Sequence, residues 1–283
     1  MKKVLIFGAY GMAGHVVADT LRKIGKWEVI RCVRKANDND KNAVSVDVTN
    51  FEKVYDVLRE QQPDIVVNCI GMLVKACADD PAAAILINSY FPNFLAKSGK
   101  SLNFKLIHIS TDCVFSGHKG SSYRDNDFRD GDTPYARTKA LGEIIDDRNL
   151  TIRTSIIGPE LKNGTGLFHW FMQQHGTIYG YTRAFWSGVT TIELAKVIVD
   201  AIDQNLIGLY QLTMPEKIAK YDLLCLFKEI WNRNDIVIEP NSDYYCDKSM
   251  IASTIPFKHA MPPSYRAMLL EMKQWMQEHP ESK

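Results

Sequence analysis

The chain has 283 residues, with 34 Lys plus Arg against 33 Asp plus Glu and a formal net charge of +1. That balance argues against a dedicated nucleic-acid binder, which carries a basic excess. A hydrophobic content of 46% beside 24% charged residues excludes a largely disordered chain.

No apolar run reaches the ~18–20 residues that cross a membrane, so no membrane partner is expected. The basic, apolar N-terminus is too short for a signal peptide. The six cysteines (Cys32, Cys69, Cys77, Cys113, Cys225 and Cys246) are scattered, with no CxxC pair. Free thiols, a cytoplasmic location and no bound metal follow. The histidines show no metal spacing either. Asn163-Gly164-Thr165 matches a glycosylation sequon that has no meaning in that compartment.

In chain order, residues 3–7 form a short apolar run ending at Gly8, the pattern of a fully buried parallel strand. A helix fits residues 12–24, with Val16, Val17, Leu21 and Ile24 on one face and Gly25 as its stop. Strands follow at 27–33 and 44–46. Thr49 with Glu52 resembles a capping box for a helix carrying Phe51, Val54, Tyr55 and Leu58, which ends before Pro63. Residues 65–70 read as a buried strand. Pro81 opens a helix to about residue 97, with Pro92 kinking it or lying near its start. A strand at 104–110, a polar loop at 116–132, a helix at 133–147 and a strand at 150–153 complete the alternation. Long loops in compact domains are often functional.

This βαβ rhythm predicts a doubly wound parallel sheet with helices on both faces. It breaks at about Gly158, where aromatics and glycines gather. Helices at 191–203 and 220–232 and strands at 209–212 and 236–238 follow. The expected fold is α/β: a Rossmann-like sheet over residues 1–157 and a smaller C-terminal α/β substrate lobe over 158–283. A segment near 187–213 is expected to return to the first lobe.

Gly8-Ala9-Tyr10-Gly11-Met12-Ala13-Gly14 is a GxxGxxG turn between a predicted strand and a predicted helix. The first glycine permits a tight turn, the second lets the backbone approach a pyrophosphate, and the third allows close helix packing. The helix N-terminus attracts the negative charge. This context points to a dinucleotide, held by Gly8, Tyr10, Gly11, Met12 and Gly14. About 20 residues on, an NAD-binding chain carries an acid for the ribose hydroxyl. Here that stretch holds Arg31 and Arg34 instead, which suit a 2′-phosphate, so NADPH is favoured and NADH stays open. Asp47 and Val48 are placed near the adenine. Cys69, Ile70 and Gly71 line the cofactor cleft.

Tyr135 and Lys139 stand four residues apart, on one helical face. A nearby ammonium stabilises a phenolate and tunes a proton donor. A second YxxxK, Tyr244 to Lys248, lies past the alternating region and is read as standing outside catalysis. Thr111 ends a strand at the sheet's carboxyl edge, where such folds bind ligands. With Tyr135 and Lys139 it can polarise a carbonyl, supply a proton and hold a ribose.

With these residues in order, the chain resembles the extended short-chain dehydrogenase/reductase superfamily. Within it, the resemblance is to the dTDP-4-dehydrorhamnose reductase family. The matching pieces are GAYGMAG at 8–14, DVT at 47–49, VNCIG at 67–71, INSYFPNFLA at 87–96 and HISTDCVFSG at 108–117. TPYARTKALGE at 133–143, IRTSIIG at 152–158 and SGVTTIELA at 187–195 follow. The resemblance implies NAD(P)H-dependent reduction of the 4-keto group of a nucleotide-activated 6-deoxy sugar, for surface-polysaccharide synthesis. It makes Tyr135 the proton donor, Lys139 the group that positions the ribose and tunes Tyr135, and Thr111 a hydrogen-bond partner of the carbonyl.

The chain departs from the family at Cys113, where Tyr is usual, and at Lys75, where an acid is usual. Lys75, Thr111, Asp112, Cys113 and Trp186 are the candidate substrate contacts. The sugar is either dTDP-4-dehydrorhamnose or a UDP-2-acetamido-2,6-dideoxy-hexulose. A nucleotide-sugar epimerase or dehydratase, and a non-catalytic reductase-like regulatory subunit, are the alternatives. A homodimer is left open.

Overall fold

Val4, Leu5, Ile6 and Phe7 are all fully buried, so the strand they form needs apolar cover on both faces. The computed structural model describes residues 1–37, 40–161, 164–252, 254 and 256–280. Asn163 of the sequon lies outside them. The first half runs β1 (Lys2–Phe7), α1 (Met12–Ile24), β2 (Trp27–Val33), β3 (Ala43–Ser45), α2 (Phe51–Gln61) and β4 (Ile65–Asn68). Then come α3 (Val74–Asp79), α4 (Pro81–Ala84), α5 (Phe91–Leu102), β5 (Lys105–Thr111), α6 (Pro134–Leu141) and β6 (Leu150–Thr154). The second half runs β7 (Ile156–Ile157), α7 (Leu167–Met172), β8 (Gly176–Trp186), β9 (Val189–Thr190), α8 (Thr191–Asp203) and β10 (Gly208–Gln211). It ends with β11 (Ile218–Ala219), α9 (Lys220–Ile230), β12 (Ile236–Asp247) and α10 (Tyr265–Glu278).

Seven strands form one sheet in the order β10-β6-β5-β4-β1-β2-β3, and every neighbouring pair is parallel. Alternation along β1 explains the two layers. Val4 and Ile6 pack with Val16, Val17 and Leu21 of α1 and with Val197 and Ile198 of α8. Leu5 and Phe7 pack with Val54 and Leu58 of α2 and Leu95 of α5. The fold is a doubly wound, Rossmann-like α/β sheet. The strand order reverses between β1 and β4, which opens a crevice at their carboxyl ends. β10 pairs with β6, so the segment after residue 187 does return to the main sheet. A separate three-stranded sheet, β11-β8-β12, stands beside it.

Three local expectations are corrected. Thr49 does not cap α2. Asn50 does, accepting from the Lys53 amide at 3.1 Å, while the Thr49 hydroxyl donates to Asp47. The helix expected at 81–97 is three pieces, with a π-helical turn at Ile85–Tyr90 between α4 and α5. Pro92 has no N–H to give to the carbonyl of Asn88. A Cβ at Gly142 would lie 2.0 Å from that same carbonyl oxygen, so only glycine lets the end of α6 pack there. The helix expected at 133–147 stops at Leu141. Glu143 turns inward instead, where it accepts from Arg153 at 2.7 and 2.8 Å and from Ser110 at 2.7 Å.

The long strand β8, with helices α7 and α10, went unread in the sequence. β8 alternates buried Ile178, Gly180, Ala184 and Trp186 with more exposed residues, but its glycines and tyrosines break the apolar signal.

Candidate active site

The glycine turn sits at the carboxyl end of β1. Gly8 adopts a φ of +78°, the left-handed region. Gly14 is the tightest of the three, since a Cβ there would stand 2.1 Å from the Gly8 carbonyl oxygen. Gly11 caps α1 without a side-chain bond, and the first turn, which begins at Met12, carries no acid. The leading amides of α1 are therefore free for an anion, and no carboxylate repels one. The donor set fits a dinucleotide pyrophosphate.

Cys69 and Ile70 follow β4 and flank this turn, with Ile70 Cγ1 2.9 Å from where a Gly8 Cβ would be. Burial pushes the Cys69 thiol up to about 12, so it lines the crevice as an apolar group. Gly71 is exposed, and the next amide, Met72, donates to Asn88 at 2.8 Å. Asn88 is buried and also reaches Thr138 of α6 at 3.3 Å. It ties the loop after β4 to the helix that carries Tyr135 and Lys139. Sequence reasoning missed it, although it stands inside the INSYFPNFLA match.

The basic end of β2 divides in two. Arg34 and Lys35 are exposed at its tip, and the charge of Arg34 acts on Asp47. Asp47 is held below the usual carboxylate range, first by the Thr49 amide and hydroxyl and then by Arg34. Val48 beside it packs on the core. Arg31 lies lower on the strand, on the α1 face. It pairs with Asp40, which also accepts from the Tyr10 hydroxyl at 2.9 Å. Its charge is met within the protein, whereas Arg34 is exposed at the strand's tip.

The three groups expected to do chemistry converge beyond β5. Thr133 caps α6 by accepting from the Ala136 amide at 3.1 Å, which starts the helix one residue before Tyr135. Lys139, one turn on, is buried and donates to the Ile109 carbonyl at 2.7 Å. Burial brings its ammonium down to about 8, and the Glu143 carboxylate opposes that shift. His108 stands 3.5 Å from Lys139 and 3.1 Å from Asn68. Burial and then the Lys139 charge push His108 well below its ordinary value, so it is a neutral spacer. It was given no role in the sequence.

Thr111 is buried at the end of β5, where its hydroxyl donates to Asp112 at 3.1 Å and accepts from the Cys113 amide at 3.1 Å, and it acts to lower the pKa of the Tyr135 phenol. Burial, followed by the neighbouring Cys113, raises the Tyr135 phenol above its ordinary value. The resting group is thus the neutral phenol, which can give a proton. Asp112 and Cys113 adjoin it. Burial raises the Asp112 carboxyl, opposed by Lys248 and the Thr111 hydroxyl. Burial pushes the Cys113 thiol up to about 12.

Two predicted substrate contacts are placed elsewhere. The Lys75 side chain is 91% exposed and pairs with Asp79 on its own helix, an ordinary solvated i,i+4 pair. Trp186 is buried in the main core, tilted on Tyr265 at 5.6 Å between ring centres. Its indole packs between β8 and α10. Lys248 is raised above its ordinary value, against burial, by the charges of Cys113 and Asp112. Tyr244, its partner in the second YxxxK, lies on β12 with its ring 5.1 Å from that of Tyr181.

Among the described residues, no group of three or more His, Cys, Asp or Glu could hold a metal ion, and no helix is long and apolar enough to cross a membrane.

Comparison with known proteins places the chain among sequence and structural relatives. A dTDP-4-dehydrorhamnose reductase of Aggregatibacter actinomycetemcomitans is 24% identical over 81% of this chain and 79% of that protein. A spore coat polysaccharide biosynthesis protein of Bacillus subtilis is 33% identical, over 51% of this chain and 48% of its own length. The crystal structure of a dTDP-4-dehydrorhamnose reductase from Bacillus anthracis, in complex with NADP, superposes with a TM-score of 0.85 at 20% identity. It covers 97% of this chain and 99% of that one. The RmlD substrate binding domain profile matches residues 1–245, and the chain belongs to that family.

Proposed function

We propose that this protein reduces the 4-keto group of a nucleotide-activated 6-deoxy sugar with NADPH, in the making of a surface polysaccharide. It is an NADP-dependent oxidoreductase, in keeping with curated relatives that are named reductases. The observation that carries the reading is the convergence of Thr111, Tyr135 and Lys139 beside an uncapped glycine turn.

NADPH, when bound, supplies the hydride. The residues of this chain supply the rest. The amides at the start of α1 receive the pyrophosphate, and Arg34 receives the 2′-phosphate. Tyr135 gives its proton to the ketone oxygen as negative charge develops there. The Lys139 ammonium, held by the Ile109 carbonyl, offers its remaining protons to the ribose and steadies the phenolate that Tyr135 becomes. Thr111 gives a hydrogen bond to the same ketone oxygen. Asp112 and Cys113 adjoin the sugar.

The test follows NADPH absorbance with a panel of dTDP- and UDP-linked 4-keto-6-deoxy sugars. At least one is reduced, and Tyr135→Phe loses that activity by roughly 100-fold or more, as expected for a lost general acid. Full activity in Tyr135→Phe would sink the assignment.

A further inference from the structure

Asp40 is an acid in a basic place. A cavity of about 820 Å³ lies between the glycine turn, α1 and the segment after β2, and Tyr10, Arg22, Arg31, Lys35, Asp40 and Lys41 line it. Four of these six are cations, and Lys35 follows Arg34 in the chain. A carboxylate on the wall of such a cavity would repel a phosphate unless its charge were met. Both of its oxygens are engaged. Arg31 pairs with Asp40 Oδ1, and the Tyr10 hydroxyl donates to Asp40 Oδ2 at 2.9 Å. The Asp40 side chain is 11% exposed and that of Arg31 19%, so water competes little for these bonds.

Asp40 also organises the chain around it. Its amide donates to the Asn37 carbonyl at 2.8 Å, and its carbonyl accepts from the Ala43 amide, at the start of β3, at 3.0 Å. Asp40 Oδ1 accepts from the Asn42 amide at 3.2 Å, and the Asn42 carbonyl accepts from the Arg31 amide at 2.9 Å. Nearer Arg34, the Ala36 amide donates to the Ser45 hydroxyl at 2.9 Å. These bonds tie the segment to itself, to β2 and to β3. The Tyr10 hydroxyl reaches it from inside the glycine turn, whose Gly8 amide donates to the Cys32 carbonyl of β2 at 3.1 Å. Tyr10 and Ala36 both pack on the core beneath.

We propose that Tyr10 and Asp40 are positioning residues, which hold the segment carrying Arg34 and Lys35 against the glycine turn and so favour NADPH over NADH. The proposal rests on the cofactor reading for its binding consequence. A segment anchored before the ligand arrives loses less conformational freedom when its cations close on a 2′-phosphate. NADH has no 2′-phosphate and gains nothing from those cations. The hydroxyl of Tyr10 thus acts on specificity through Asp40, at a distance from the phosphate itself.

The test titrates NADPH and NADH by fluorescence against wild type, Tyr10→Phe, Asp40→Ala and the double variant. Tyr10→Phe removes the hydroxyl and keeps the ring. It should weaken NADPH about fivefold, the scale of one hydrogen bond, and change NADH by no more than about twofold. In the Asp40→Ala background the hydroxyl has no partner, so Tyr10→Phe should change NADPH by no more than about twofold. Unchanged NADPH affinity in Tyr10→Phe overturns the proposal. So does an equal loss for both nucleotides, which would mean that the turn itself is disturbed. So does the same loss in both backgrounds, which would make the hydroxyl a direct contact of the cofactor. If wild type binds neither nucleotide, the cofactor reading fails, and hydrogen exchange without ligand still decides the anchor. The Asn42 and Ala43 amides should then exchange about fivefold faster in Tyr10→Phe, and equal rates overturn it.

Discussion

Gly14 and Gly25 lie within and just past α1, and replacing each with alanine separates cofactor binding from stability. A methyl at position 14 would stand 2.1 Å from the Gly8 carbonyl oxygen and 2.7 Å from the Gly8 carbonyl carbon. Both are rigid backbone, so the turn and the start of α1 must part by about 1 Å to reach ordinary contact. Overpacking of that kind costs about 1–3 kcal/mol. In a chain of this size it lowers Tm by roughly 2–10 °C. The same displacement moves the amides that would receive the pyrophosphate, and errors of about 1 Å at such sites cost up to 100-fold. Gly25 has a φ of +73° and nothing within 4 Å of its would-be methyl. Gly25→Ala therefore costs about 1–2 kcal/mol of backbone strain and nothing at the turn. NADPH fluorescence titration and thermal unfolding read the two effects. Gly14→Ala should weaken NADPH at least tenfold, and Gly25→Ala should lower Tm while leaving Kd unchanged. Equal affinity in Gly14→Ala and wild type would refute the assignment of this turn to the cofactor.

Arg34→Ala should weaken NADPH about tenfold and leave NADH unchanged, as loss of a charge-assisted bond to the 2′-phosphate would. Arg31→Ala should mainly lower Tm, because it strands Asp40; an equal loss of NADPH affinity in both variants would contradict the division drawn between them. Arg153→Met should cost about 3 kcal/mol at neutral pH by leaving the buried Glu143 carboxylate with the Ser110 hydroxyl and the partly exposed Arg129. In wild type, burial alone would raise Glu143, but the Arg153 hydrogen bonds and charge hold it below the ordinary range. Its contribution is then full at neutral pH and lost as pH falls through the depressed value. In Arg153→Met the carboxyl is raised instead, so the penalty should shrink on acidification. Urea unfolding at pH 5 and pH 7 checks this, and an equal penalty at both would contradict it.

The first half of the fold was legible because its strands are buried on both faces and its helices are amphipathic. Trp27–Val33 and Met12–Ile24 match the sequence reading residue for residue. The glycine turn and the Tyr135–Lys139 pair were legible because both are local, set by one turn and one helical face. Contacts across the chain were not. Asp40 reaches Arg31 from a loop, and Asn88 joins the loop after β4 to α6 from a π-helical turn. Trp186 looked like a binding aromatic because large rings suit both a ligand wall and a core. Nothing in its neighbours' identities distinguished the two.

The central claim is that hydride reaches carbon 4 of the sugar while Tyr135 protonates the oxygen. It is tested most directly with NADPH carrying deuterium at the transferring position and a dTDP- or UDP-linked 4-keto-6-deoxy sugar. Mass spectrometry of the product should find one deuterium, on carbon 4, in wild type, and almost none formed in Tyr135→Phe. Deuterium kept on the cofactor while the sugar is converted to an isomer would contradict the account and identify an epimerase.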